Sequence, residues 1–302
     1  GSRGVFARYA RGRDYHDHMK SRLQELLRRI QEGAGGEEIS GFAYVDTGPI
    51  LERELARQAG LGWFGKNTML IHPKEGSYFF LGLLLLDLPL PLDEPFRGDH
   101  CGSCQACLDA CPTGALLGRD ESGAPFMDAR RCISYLTVEL KGPIPRELRP
   151  AVGNRIFGCD ICQEVCPWNQ KFASPTLEPV YAATPGTNGP ALVELMGLSE
   201  DDFGARFSGS PVKRSNRRGF LRNVAVALGN WGAREAVAPW ARALDDPEPL
   251  IRGHAAWALG RILERQGIPG DGGHVVAEAL LFRLHVEEDP WVEEELEAAL
   301  RG

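Results

Sequence analysis

The chain has no long hydrophobic run. Its greasiest stretch, "FFLGLLLL" (Phe79–Leu86), is eight residues. That is too short to span a bilayer and reads as a buried strand. No secretory signal precedes it, so a disulfide framework is not expected for the eight cysteines, and the chain is expected in the cytoplasm without a membrane partner. An excess of positive charge is missing too, the net charge being −7. The charge is unevenly spread, however. Residues 3 to 32 hold eight Arg or Lys against four acids, and residues 271 to 302 hold nine acids against two bases. A local anion-binding surface is therefore not excluded, and "PVKRSNRR" (Pro211–Arg218) is the candidate. At 302 residues, 43% hydrophobic and 25% charged, what remains is an ordinary globular chain of two or three domains.

"KSRLQELLRRIQE" (Lys20–Glu32) places Leu23, Leu26, Leu27 and Ile30 on one helical face, and "GAGGEE" breaks the helix. "GFAYVDTGPILERELARQAGLG" (Gly41–Gly62) reads as strand, turn and helix. Phe42 to Val45 form the strand, Pro49 suits the first helical turn, and Gly60 ends the helix. A glycine-rich loop and two more strands follow, so residues 1–97 are expected to be an α/β domain. A proline-rich linker then leads to a cysteine domain at 98–185. Residues 186–302 are helical and repetitive: "LRNVAVALGN" (Leu221–Asn230) returns thirty residues on as "IRGHAAWALGR" (Ile251–Arg261), with a looser echo at Glu287–Leu300. Aspartate-proline turns before alanine-rich helices point to HEAT-type repeats.

The cysteines carry the strongest signal. Cys101, Cys104, Cys107 and Cys111, the last followed by Pro112, have the spacing of bacterial two-cluster ferredoxins. Three closely spaced thiolates grip one cubane, and the fourth leaves the loop for the other cluster. Zinc prefers two CxxC pairs or mixed Cys/His sets. The second group, Cys159, Cys162 and Cys166-Pro167, lacks one cysteine of the full motif, and Cys132 is the only spare. The exchange rule gives cluster one Cys101, Cys104, Cys107 and Cys166. It gives cluster two Cys111, Cys132, Cys159 and Cys162. Two [4Fe-4S] clusters form a wire, and something must receive their electrons.

Four further segments coincide with this wire: "ARYARGRDYH" (Ala7–His16), "VDTGPILERE" (Val45–Glu54), "GWFGKN" (Gly62–Asn67) and "CISYLTVELKGPIP" (Cys132–Pro145). In this order, with the repeat tail, the chain resembles the epoxyqueuosine reductases, which make queuosine in tRNA. The family begins with a further α/β segment, so the resemblance implies an N-terminally truncated chain. It implies a fold of three parts: an incomplete cobalamin-binding α/β domain like that of reductive dehalogenases, a two-cluster ferredoxin-like domain, and HEAT-like repeats. It implies reduction of the epoxide in epoxyqueuosine-bearing tRNA, with cobalamin as second cofactor and an external low-potential electron donor. A monomer is the default.

Residue roles follow from the resemblance. Asp46 matches the proton donor, although Asp46-Thr47-Gly48-Pro49 read alone is a helix-capping context. A helix N-terminus would lower its pKa, whereas a donor near neutral pH needs it raised. Tyr9, Leu70, Leu81, Ser134, Cys159 and Asp160 are implied cobalamin contacts, although Leu70 and Leu81 taken by themselves read better as core. No histidine lies in a DxHxxG motif, so base-off cobalamin without a protein ligand is expected. Lys141 is implied to face the anticodon loop, and Lys213, Arg214, Arg217 and Arg218 open the first repeat helix as candidates for tRNA phosphates. The acidic C-terminal helix is expected to face away from RNA. The rival readings are a reductive dehalogenase-like cobalamin enzyme, and a ferredoxin-type carrier on a helical-repeat scaffold.

Overall fold

The computed structural model describes residues 1–35, 38–232, 242–266 and 271–301. Gly36 and Glu37 of the expected helix break lie outside the described residues. The strands are β1 (Val5–Phe6), β2 (Gly41–Tyr44), β3 (Trp63–Phe64), β4 (Leu70–Ile71), β5 (Leu83–Leu86), β6 (Leu116–Arg119), β7 (Pro125–Met127) and β8 (Arg155–Phe157). The helices begin with α1 (Tyr15–Gly33), α2 (Glu52–Gln58), α3 (Ala106–Ala110), α4 (Arg149–Val152), α5 (Ile161–Glu164) and α6 (Pro167–Phe172). They continue with α7 (Leu192–Met196), α8 (Glu200–Arg206), α9 (Asn216–Trp231), α10 (Pro249–Gln266), α11 (Asp271–Val286) and α12 (Pro290–Arg301).

Contacts divide the chain into two units that do not follow three consecutive domains. One comprises Gly1–Arg13, Ala129–Cys159 and Ala183–Gly302, here the repeat unit. The other, the cysteine-rich unit, comprises Asp14–Asp128 and Asp160–Ala182. The first thirteen residues leave the expected α/β segment because β1 pairs in parallel with β8, Phe6 opposite Phe157. Phe6 is 1% exposed and stacks on Phe220 of α9 at 6.0 Å. Burying that ring outweighs its place in the sequence order.

In the repeat unit α9, α10 and α12 pack side by side, and the repeated glycine explains the close approach. A Cβ on Gly229 would come 2.9 Å from Ala258 Cα, and one on Gly260 would come 2.8 Å from Ala299 Cα. The glycine ending each "ALG" is thus where the next helix lies against the backbone. The acidic tail is not a solvated face throughout. Glu295 is buried in a two-pronged pair with Arg149 (2.7 and 2.8 Å), and Glu287 is buried against Arg252 (2.6 Å).

In the cysteine-rich unit α1 starts five residues before the apolar pattern, because Asp14 caps it by accepting from His16 N at 3.0 Å. It packs on an antiparallel ribbon of β2 and β5, where Gly41 and Gly82 make room for Leu27 and Leu23. The expected buried strand is therefore covered on one face only: Leu85 is 43% exposed and its partner Phe42 66%. α2 begins at Glu52, with Leu51 at its N-cap, so Pro49 lies outside the first turn. Gly60 does follow the helix, at φ +74°. Among the described residues no helix is long and apolar enough to cross a membrane.

Candidate functional site

The cysteine-rich unit gathers Cys101, Cys104, Cys107 and Cys166, the predicted first set, around a cavity of about 150 Å³. The loop that presents them is pinned at its turn. Lys66, from "GWFGKN", donates to the carbonyls of Gly102 (2.8 Å) and Cys104 (2.9 Å), and Cys101 N donates to Asp99 at 3.0 Å. Gly102 has φ +48°, which suits a residue without a Cβ. Trp63 forms the wall behind, packed at 4.9 Å on Trp168 and 4.8 Å on His100. Burial, then the neighbouring Cys101, Cys166 and Cys104 sulfurs, push the Cys107 thiol up to about 11. Ionised together in so small a space, the four sulfurs would repel one another unless a bound cation offset their charge.

Four cysteines at ferredoxin spacing lining one cavity favour a cluster over one ion. Among the described residues no three His, Cys, Asp or Glu side chains converge as on a single metal. A tetrahedral zinc shell, with Zn–S of about 2.3 Å, would hold its sulfurs roughly 3.8 Å apart. A cubane gives each thiolate its own iron and spreads them.

Of the predicted second set, Cys111 and Cys162 belong to the cysteine-rich unit and Cys132 and Cys159 to the repeat unit. Burial works against the Cys111 thiolate. The Thr113 hydroxyl and the N–H groups of Ala115, Leu116 and Thr113 outweigh it and hold its pKa below the usual thiol value. Cys132 leads into a π-helical turn, Tyr135–Glu139, and Cys159 follows Gly158, whose N–H donates to Thr137 Oγ at 2.9 Å. The same turn is clamped from α9. Arg222, 1% exposed, donates to the carbonyls of Leu136, Leu140 and Gly142 at 2.6–2.8 Å, and Asn223 donates to those of Thr137 and Ile156. Sequence reading missed this clamp. Its one visible signal is that Arg222 and Asn223 interrupt an apolar helix.

Asp46 is not a helix cap. It sits at φ +55°, six residues before α2, with its side chain 60% exposed. The Tyr15 hydroxyl donates to its Oδ2 at 2.7 Å, and His16 Nε2 stands 3.7 Å from the same oxygen. His16 Nδ1 is 2.7 Å from Asp14. A carboxylate only accepts, so Nδ1 carries the hydrogen and Nε2 is left facing Asp46. The ring of Tyr15 is stacked between His16 (4.1 Å) and Phe80 (4.2 Å). The "RDYH" of the first quoted segment thus supplies three side chains around Asp46 that sequence reading passed over.

The other expected contacts are dispersed. Leu70 is 4% exposed in β4, Leu81 is half-buried before β5, and Asp160 is buried at the start of α5. In the repeat unit Tyr9 lies 6.2 Å from Phe157 in a short 3-10 turn, and Ser134 opens the π-helical turn. Lys213 and Arg214 sit on a 3-10 helix, Pro211–Ser215, ahead of α9 rather than on it. Lys141 Nζ donates to Arg214 O at 3.4 Å, and Arg218 donates to Lys141 O at 3.1 Å. These bonds tie Lys141 to the backbone of Arg214 and Arg218 to that of Lys141, while the Arg214 and Arg218 guanidiniums also stand 2.7 Å from Glu139 and 3.6 Å from Glu248; Arg217 is turned away, pairing with Asp246 at 2.5 Å and donating to Leu198 O, 15% exposed.

Three family signatures match the chain. Residues 1–47 match epoxyqueuosine reductase QueG, DUF1730. Residues 100–169 match the 4Fe-4S double cluster binding domain, and residues 214–301 match HEAT repeats. The epoxyqueuosine reductase of Pseudomonas aeruginosa is 50% identical over 258 residues, which are 84% of this chain and 69% of that protein. The chain belongs to the epoxyqueuosine reductase family. The Escherichia coli epoxyqueuosine reductase is 45% identical over 264 residues, 87% of this chain and 67% of its own length. A crystal structure of epoxyqueuosine reductase with a tRNA-Tyr epoxyqueuosine-modified tRNA stem loop superposes with a TM-score of 0.88 at 36% identity, covering 99% of this chain and 75% of that one. The Streptococcus thermophilus epoxyqueuosine reductase gives 0.85 at 30% identity, with the same coverage. The double 4Fe-4S domain of the family accounts for the cysteine cage.

Proposed function

We propose that this chain reduces epoxyqueuosine to queuosine in tRNA, with Asp46 as the proton donor. The reaction takes two electrons and two protons and releases the epoxide oxygen as water. Family membership supports the reaction class, and the bond from Tyr15 to an exposed Asp46 carboxylate is the observation that carries the assignment. Asp46 delivers the proton, Tyr15 fixes the direction of its carboxyl group by donating to Oδ2, and His16, held by Asp14, stands beside it at 3.7 Å.

The two clusters deliver electrons one at a time, drawn from an external low-potential donor. The first is assigned to Cys101, Cys104, Cys107 and Cys166, the second to Cys111, Cys132, Cys159 and Cys162. Cobalamin, when bound, supplies a reduced cobalt able to pass electrons to the epoxide. Aliphatic Leu70 and Leu81, aromatic Tyr9, the Ser134 hydroxyl and the Cys159–Asp160 backbone suit its apolar ring faces and amide arms, and no histidine stands among them to replace its base. Lys141, Lys213, Arg214 and Arg218 are assigned to tRNA phosphates, and Arg217 to holding the repeat unit together. We place the enzyme in the cytoplasm as a monomer.

The test is turnover of epoxyqueuosine-bearing tRNA by anaerobically reconstituted protein, beside the same chain carrying Asp46→Asn. Queuosine is expected from the first and not from the second, with equal iron content. Full turnover by Asp46→Asn removes Asp46 from the mechanism.

A further inference from the structure

The repeat unit holds a second cavity, of about 420 Å³, which none of the roles above uses. Two arginines line it, Arg13 from "ARYARGRDYH" and Arg206 from the end of α8, together with the hydroxyls of Ser208 and Ser210. No carboxylate is among its lining residues. Arg206 Nε is buried and, among the described residues, has no hydrogen-bond acceptor. It lies over Gly186, where a Cβ would stand in van der Waals contact, 3.6 Å from Nε and 3.4 Å from Cγ.

A buried guanidinium N–H without an acceptor is costly, and an anionic oxygen is what relieves it. Two guanidiniums, flanking hydroxyls and no competing acid define a site for a phosphate group. The space exceeds what inorganic phosphate alone fills and admits an attached sugar. The placement says more. Ser210 caps the 3-10 helix Pro211–Ser215 by accepting from Val212 N, and that helix carries Lys213 and Arg214. With a rise of about 2 Å per residue, Arg214 lies roughly 8 Å from Ser210, within reach of neighbouring phosphates of one strand.

We propose that this cavity takes a backbone phosphodiester of the RNA substrate, extending the basic run of Lys213 and Arg214 beyond the modified nucleotide. The proposal rests on the tRNA reading above. It is tested by measuring tRNA binding across a salt series for the full chain and for Arg13→Gln, Arg206→Gln and the double variant. Loss of one charge-assisted contact is expected to raise Kd roughly ten- to a hundredfold and to reduce the slope of log K against log salt by about one. Arg206→Lys is expected to regain the salt slope but not the full affinity, since it keeps the charge without the fork. Iron content, thermal midpoint and kcat at saturating tRNA are expected to match the parent, which separates a binding role from misfolding. Inorganic phosphate is expected to compete with tRNA for the parent and not for the double variant. Unchanged tRNA affinity and slope in the double variant, with a parent that binds, overturn the cavity alone. Phosphate binding that depends on the arginines while tRNA affinity does not overturns the RNA occupant in favour of a free phosphate. A parent that binds no tRNA overturns the substrate reading and the RNA occupant together.

Discussion

At the residue scale, the carboxylate of Asp46 is set by its backbone as much as by its neighbours. A φ of +55° on a residue that is not glycine is a strained conformation, and it turns Asp46 out of the strand toward Tyr15. Asp46→Asn removes the transferable proton, and turnover is expected to fall by about 10²- to 10⁴-fold, checked by single-turnover assays on modified tRNA. Tyr15→Phe removes one charge-assisted hydrogen bond of about 1.5–3 kcal/mol. It should therefore lose roughly ten- to a hundredfold in turnover with unchanged tRNA affinity; equal activity would leave Tyr15 a packing residue. The carboxylate was visible in the sequence, but its partners were not. Asp14, Tyr15 and His16 lie some thirty residues upstream, and only the folding of α1 against β2 and β5 makes them neighbours.

At the element scale, the first cluster loop was legible because its geometry is local. Four cysteines within eleven residues, broken by Gly102, can close in few ways. The second set was less legible, because Cys132 is tied to its surroundings by a buried clamp from a helix ninety residues later. Cys132→Ser is expected to lower the iron count from about eight toward four, by the two-cubane assignment. Retention of two intact clusters, seen by iron analysis and electron paramagnetic resonance, would sink that ligand set. The repeats offer a different test. Gly260→Ala forces a methyl onto the Ala299 backbone and should cost about 1–3 kcal/mol in urea unfolding. Arg149→Met leaves buried Glu295 with the more exposed Arg146 as its remaining ion-pair partner and should cost less than the roughly 3–5 kcal/mol of a fully unpaired buried charge, with much of the loss recovered when Glu295→Leu is added.

For the whole molecule, stability should fall with acid in a window set by His254. That ring is fully buried between α10 and the "KGPIP" segment: Nδ1 donates to Leu250 O at 2.8 Å, and Nε2 accepts from Ile144 N at 3.2 Å. Burial, and then the nearby Arg149 and Arg222, hold its pKa well below the ordinary histidine value. The unfolded chain binds a proton below about pH 6.5 and the folded chain does not. Stability is therefore complete above that pH and declines below it, by up to about 1.4 kcal/mol per pH unit. Burial works against the Glu287 carboxylate, but Arg252 and Arg283 outweigh it and hold its pKa at about 2, so its own loss sets in as the pH falls from the ordinary carboxylate value of 4.5 toward about 2. Urea unfolding of the apo chain at pH 7, 6 and 5 should show the first decline, and His254→Asn should flatten it.

The sequence by itself determined the kind of chemistry: four cysteines at ferredoxin spacing with three more in a shortened second group, a repetitive helical tail, and the segments that mark the family. These are set by neighbours a few residues apart, which a linear reading can see. The tertiary structure decided which bases stay at the surface and which are spent inside, since Arg217 is 15% exposed on Asp246 and Arg222 is buried under the Tyr135–Glu139 turn, whereas Arg214 and Arg218 remain about half exposed. It also decided that residues 1–13 join the repeat unit, because a buried Phe6 finds its partners in Phe157 and Phe220. Burial of side chains distant in sequence is a property of the packed core, and no local pattern encodes it.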